Sequence, residues 1–285
     1  MWNTLRRRLP EYLMEACGLG SFMISAGFFA ILLEHPLSPL NGLVPEAALR
    51  RVLMGAAMGL TAVAIIYSPW GKRSGAHINP AVTLTFLRLG KIAPRDALGY
   101  VAAQFAGGLA GLALLGALAG PLLATPQVNF VATVPRAGQS LEAFLAETVM
   151  SATLMTVVLH LSNRPALNRF TGLAAGVLVA SFIFLAGPLS GMSINPARSV
   201  ASALLSGTWT AFWIYLTAPL LGMLAAAEIY QRLQARNRPV LCAKLHHETP
   251  YNCIFRCRYK DAAGHECVAE QEQGGPLQTC EQTSI

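Results

Sequence analysis

A chain of 285 residues with 54% hydrophobic and only 12% charged side chains is far from an ordinary soluble domain, which carries about 25% charged residues. Its formal charge of +7 is gathered at Arg6, Arg7 and Arg8, at Lys72 and Arg73, between 88 and 95, between 164 and 169, and after 232, with long bare stretches between. This excludes a soluble domain on a membrane anchor and makes a nucleic-acid surface the weaker reading. What remains is a polytopic membrane protein whose cations report topology.

Hydropathy and flanking breakers predict six long helices, near 12–33, 50–67, 94–119, 141–161, 170–186 and 209–233. The first follows three arginines, as a signal peptide would. Its apolar run is longer than an h-region of about 7–15 residues, and no small-residue cleavage site follows, so it reads as a retained helix. Between the second and third helices, residues 74–81 read Ser-Gly-Ala-His-Ile-Asn-Pro-Ala, opening an apolar stretch that Arg88 interrupts nine positions after Asn79. A spanning helix needs roughly 20 apolar residues, so this is a half-length element. Between the fifth and sixth helices, residues 190–197 read Ser-Gly-Met-Ser-Ile-Asn-Pro-Ala, identical at six of eight positions and 116 residues further on. Paired short segments at matching places in two halves point to a central permeation or binding site.

Each half, about 8–120 and 138–235, holds three spans and one short segment. Three is odd, so the second half enters the membrane from the opposite side, which gives an inverted 3+3 repeat: an all-α membrane protein with six transmembrane helices and two re-entrant half-helices. Glu15 in the first helix matches Glu147 in the fourth, and Gln104-Phe-Ala-Gly-Gly108 in the third parallels Pro219-Leu-Leu-Gly222 in the sixth. With both termini inside, the inner face collects nearly all Lys and Arg, leaving Arg50, Arg51, Arg136 and Arg198 outside. The inner cell membrane is the expected location.

The half-helices carry the chemistry. Asn79 and Asn195 sit where an N-cap belongs, and Pro80 and Pro196 where a missing N–H costs nothing, each followed by Ala81 or Ala197. If the two N-termini meet at mid-membrane, both positive dipole ends and both side-chain amides face one point, repelling cations and breaking a proton wire. The paired Asn-Pro-Ala boxes, the Ser-Gly-Ala-His before the first and Arg198-Ser199 after the second resemble the aquaporin or major intrinsic protein family over about residues 8–235, in its bacterial or nodulin-like branch.

That resemblance implies a passive channel for water and possibly glycerol or metalloid acids, without ions or protons. It also implies a lipid-embedded homotetramer, no enzymatic activity and no cofactor for transport. It assigns Glu15 and Glu147 to loop support, with His77 packing beside the first loop. A proton- or ion-coupled secondary transporter using Glu15 and Glu147 is the alternative, since intramembrane carboxylates are functional candidates by default; a pH gate at His77 is the corresponding alternative there. Family spacing places the outer constriction at Gly59, Ile183, Met192 and Arg198. Ser199 is water-type, Tyr215-Leu216 mixed, and Gly187-Pro-Leu-Ser-Gly191 nodulin-like, so the solute range stays open.

The resemblance ends before the tail. Residues 1–237 form the expected channel domain and 238–285 a Cys/His-containing cytoplasmic segment. A reducing compartment disfavours disulfides, and Cys253-x3-Cys257 has the spacing of a zinc ligand pair. Cys242 with His246, or His265 with Cys267, would supply the second pair, making a small cap on the inner face around a structural zinc. A disordered tail with incidental cysteines is the other reading.

Overall fold

In lipid every backbone N–H and C=O must be bonded within the protein, which leaves helices as the economical spanning element for such apolar runs. The computed structural model describes residues 2–234, 239–247 and 253–259, and these form ten α-helices and no strand. They are α1 (Trp2–Glu34), α2 (Pro39–Leu43), α3 (Ala47–Tyr67), α4 (Pro69–Ser74), α5 (Pro80–Arg88), α6 (Pro94–Leu123), α7 (Ser140–Ser162), α8 (Thr171–Ser190), α9 (Pro196–Ser206) and α10 (Trp213–Gln234). Helices α1, α3, α6, α7, α8 and α10 are long and apolar enough to cross a membrane, which makes this an integral membrane protein. Five of the six expected spans shift by four residues or fewer at either end, while α1 begins ten residues before its expected start. Helix α6 runs past its predicted end because Pro121 kinks it, at Ala119 (φ −135°, ψ 29°), rather than ending it.

The duplication is visible in the packing. Helix α1 pairs with α6 and α7 with α10, through backbone contacts that tolerate no side chain. A Cβ on Gly107 would lie 2.1 Å from Ala16 O, and one on Gly222 would lie 2.2 Å from Thr148 O. Ala16 and Thr148 each follow one of the paired glutamates, so both halves place their carboxylate by the same close approach. Such small-residue contacts drive helix association in lipid, where apolar burial against acyl chains gains little.

The described part of the tail lies on the side where α1 begins: near the start of α1, the Arg8 guanidinium donates to Ile254 O at 3.3 Å. The short helices α5 and α9 enter from opposite sides and meet in the middle, each preceded by an irregular loop, residues 75–79 and 191–195.

Candidate functional site

Asn79 and Asn195 are extended N-caps whose Oδ1 atoms accept from Ala81 N–H at 2.9 Å and from Ala197 N–H at 3.1 Å. Each caps its own half-helix and ties down the other. Asn79 Nδ2 donates to Ile194 O at 2.7 Å, and Asn195 Nδ2 donates to Ile78 O at 2.8 Å. An amide nitrogen has two hydrogens, so each asparagine keeps one for the cavity that both line. Pro80 and Pro196 stand at N1, and Ala81 and Ala197 are fully buried at the junction.

The loops leading into these caps are strained. Ala76, Ile78, Met192 and Ile194 have φ of 53°, 40°, 46° and 49°, which for β-branched isoleucine is a true outlier. Such residues cost about 1–3 kcal/mol each unless the surroundings enforce them. Enforcement comes from the glutamates. Glu15 accepts from Ser74 Oγ (2.8 Å), His77 N–H (3.0 Å), Ile78 N–H (2.6 Å) and Gln104 Nε2 (2.8 Å). Glu147 accepts from Ser190 Oγ (2.7 Å), Ser193 N–H (2.9 Å) and Ile194 N–H (2.7 Å). In a trans peptide N–H and C=O point opposite ways. Pulling these N–H groups toward carboxylate therefore turns the carbonyls of Ala76, His77, Met192 and Ser193 away from it, toward the cavity those residues line. Tyr100 and Tyr215 complete the symmetry, donating to Ser74 O at 2.6 Å and Ser190 O at 2.5 Å.

His77 is buried, with Nε2 2.8 Å from Ala243 O and Nδ1 3.0 Å from Thr83 Oγ1. A carbonyl only accepts, so Nε2 carries the proton and Nδ1 accepts from the threonine. The ring stacks between Phe86 and Phe255, which is a packing position.

A cavity of about 190 Å³ runs past both asparagines. Toward the side away from the termini it is lined by Ile183, Met192 and Arg198. Arg198 Nη1 is buried with no hydrogen-bond partner among the described residues, an unsatisfied state that carries a cost. Gly59, expected at the constriction, is not among the residues that line this cavity. A Cβ there would lie 2.5 Å from Gly176 O, so Gly59 belongs to the α3–α8 contact. The cavity wall is instead Met54, Met58, Ala62 and Ile66, a stripe at i, i+4, i+8 and i+12 that excludes position 59. The opening at this level is therefore narrowed by two methionines rather than widened by a glycine.

The tail brings together Cys242, His247, Cys253 and Cys257, whose ligand atoms all lie within 4.8 Å of one another. His246, the expected ligand, faces elsewhere: its ring meets Tyr67 at 5.0 Å. The neighbouring residue is turned inward because Asn168 grips its backbone, donating to His247 O at 2.7 Å and accepting from His247 N–H at 3.1 Å. His265 and Cys267 lie outside the described residues. Hydrogen bonds from Cys242 and Cys257 pull the Cys253 thiol below the ordinary range, while burial pushes Cys242 above it; thiolate is the form that ligates metal.

Comparison with known proteins gives three findings. The family model described as major intrinsic protein matches residues 15–230. Aquaporin NIP1-3 of Oryza sativa subsp. japonica is 40% identical over 143 residues, 50% of this chain and 48% of that protein. A probable NIP-type aquaporin of Nicotiana alata is 34% identical over 183 residues, 64% of this chain and 66% of that one. The chain thus spans about half the length of the first relative and about two thirds of the second. Among solved structures, the aquaglyceroporin from Plasmodium falciparum shares the fold with a TM-score of 0.63 at 21% identity, covering 79% of this chain and 96% of that one.

Proposed function

The chain belongs to the major intrinsic protein family, and from that premise we propose that it is a passive channel for water and small uncharged solutes. The observation that carries this reading is the single cavity shared by Asn79, Asn195 and Arg198 between two opposed half-helix N-termini. Amide and guanidinium hydrogens, two positive dipole ends and carbonyls turned toward the cavity offer a neutral molecule donors and acceptors while repelling cations. Met58, Met192 and Ile183 set an apolar, flexible wall opposite Arg198. That suits water and a slender solute with one apolar side, such as glycerol or a metalloid acid.

The coupled-transporter reading loses its motive, because every oxygen of Glu15 and Glu147 is already bonded to its loop. The excess of Lys and Arg on the side of the termini supports a cytoplasmic location for both ends, in the cell membrane. Family membership supports a homotetramer. We divide the chain into a channel body, 1–237, and a tail, 238–285, and assign a structural zinc to the tail's Cys/His tetrad; transport itself calls for no cofactor. Stopped-flow light scattering on proteoliposomes, run with each solute in turn, tests the reading. The expected order is water ahead of glycerol, with salts impermeant; salt permeation at the rate of water would overturn it.

A further inference from the structure

The tail does more than hang beside the channel. Residues 239–247 and 253–259 contain no helix or strand, yet Cys242, Ala243, Lys244, Leu245 and Phe255 are buried. The apolar ones among them join the same hydrophobic core as the channel helices, beside Phe86 and Tyr100. The tail is fastened to inner loops of both halves. Leu245 N–H donates to Gly75 O (3.1 Å) and Arg256 N–H to Lys91 O (2.9 Å) in the first half. Leu241 N–H donates to Asn163 Oδ1 (2.5 Å), and Asn168 holds His247, in the second. The described pieces of the tail are thus tied to both halves, and Leu245 lines the same cavity as Asn79, Asn195 and Arg198.

Resting on the channel and zinc readings above, we infer that one Zn²⁺ held by Cys242, His247, Cys253 and Cys257 locks Leu245 into the inner mouth, making the channel zinc-gated. Three thiolates and one imidazole are a tetrahedral zinc set. Cys257 Sγ already lies 3.3 Å from His247 Nε2, and Cys242 Sγ 3.5 Å from Cys253 Sγ, so small movements bring all four onto an ion. The complex carries one net negative charge, and the buried Lys244 ammonium acts on Cys253 from close by. Leu245 lies three residues after the first ligand and two before the second. The ion therefore closes a short ring with Leu245 on it. An apolar side chain in a narrow mouth shuts a water path by dewetting, and releasing the ion frees the ring.

The test uses the full chain reconstituted in liposomes, assayed zinc-loaded and after stripping with a high-affinity chelator before reconstitution. Elemental analysis should find one zinc per chain, lost in Cys253→Ser/Cys257→Ser, and Co²⁺ substitution should give thiolate-to-metal absorption. Stripping should raise water permeability several-fold, and re-adding Zn²⁺ should reverse it. Leu245→Gly should show the high permeability while keeping its zinc, which guards against misfolding of the cysteine variants. No bound zinc, or two thiols lost to a Cys242–Cys253 disulfide, overturns the site. Zinc bound with equal, clearly measurable permeability in all forms overturns the gate and leaves the channel intact. Permeability no higher than that of empty liposomes in every form, Leu245→Gly included, sinks the channel reading and the gate with it.

Discussion

At Arg198 one guanidinium nitrogen is buried without a protein partner, and an unsatisfied buried donor costs about 1–3 kcal/mol or more when charged. The same side chain lines the cavity beside Ile183 and Met192. In a Leu245→Gly background, Arg198→Val should preserve water flux while raising proton leak, read with a pH-sensitive dye inside the liposomes. Collapse of water flux with no added leak, in folded protein, would make the arginine a structural residue. Positions 58 and 59 separate selectivity from packing. Met58→Ala should raise glycerol permeation relative to water, because Met58 lines the cavity. Gly59→Ala should leave selectivity alone and lower thermal stability, since its Cβ would lie 2.5 Å from Gly176 O and overpacking costs about 1–3 kcal/mol. Reversal of the two phenotypes would restore Gly59 to the constriction.

At the scale of elements, the half-helices depend on their glutamates. Gln at position 15 would set an NH₂ group against some of the four donors that Glu15 now satisfies. A buried N–H left unpaired costs about 1–3 kcal/mol, so Glu15→Gln should lower the midpoint of thermal unfolding without creating or abolishing any proton-gradient dependence of flux. A stable variant that lost gradient-driven uptake would revive the transporter reading. These elements were readable from the chain because Asn-Pro-Ala, Arg198 and the glutamates are chemically singular and duplicated. Position 59 was harder to place: carrying over a fixed spacing from Asn79 assumes an unchanged junction between α3 and the loop, and one residue of slip moves a helical side chain about 100° around the axis. The methionine stripe at 54 and 58 was the available signal. His246 and His247 could not be told apart, because an irregular tail has no period to orient them. Only the grip of Asn168, 79 residues before His247, decides which one turns inward, just as only the folded tail places Leu245 in the cavity.

For the whole molecule, inverted duplication places two identical caps, two positive helix ends and two buried carboxylates around one cavity, with the described pieces of the tail tied to both halves. Such an assembly conducts passively. The decisive measurement is water permeability of metal-stripped protein in proteoliposomes, under one osmotic gradient with and without an imposed proton gradient. A passive channel gives shrinkage several-fold faster than in empty liposomes, at a rate the proton gradient leaves unchanged. Shrinkage no faster than in empty liposomes, or a rate that follows the proton gradient, would rule passive conduction out.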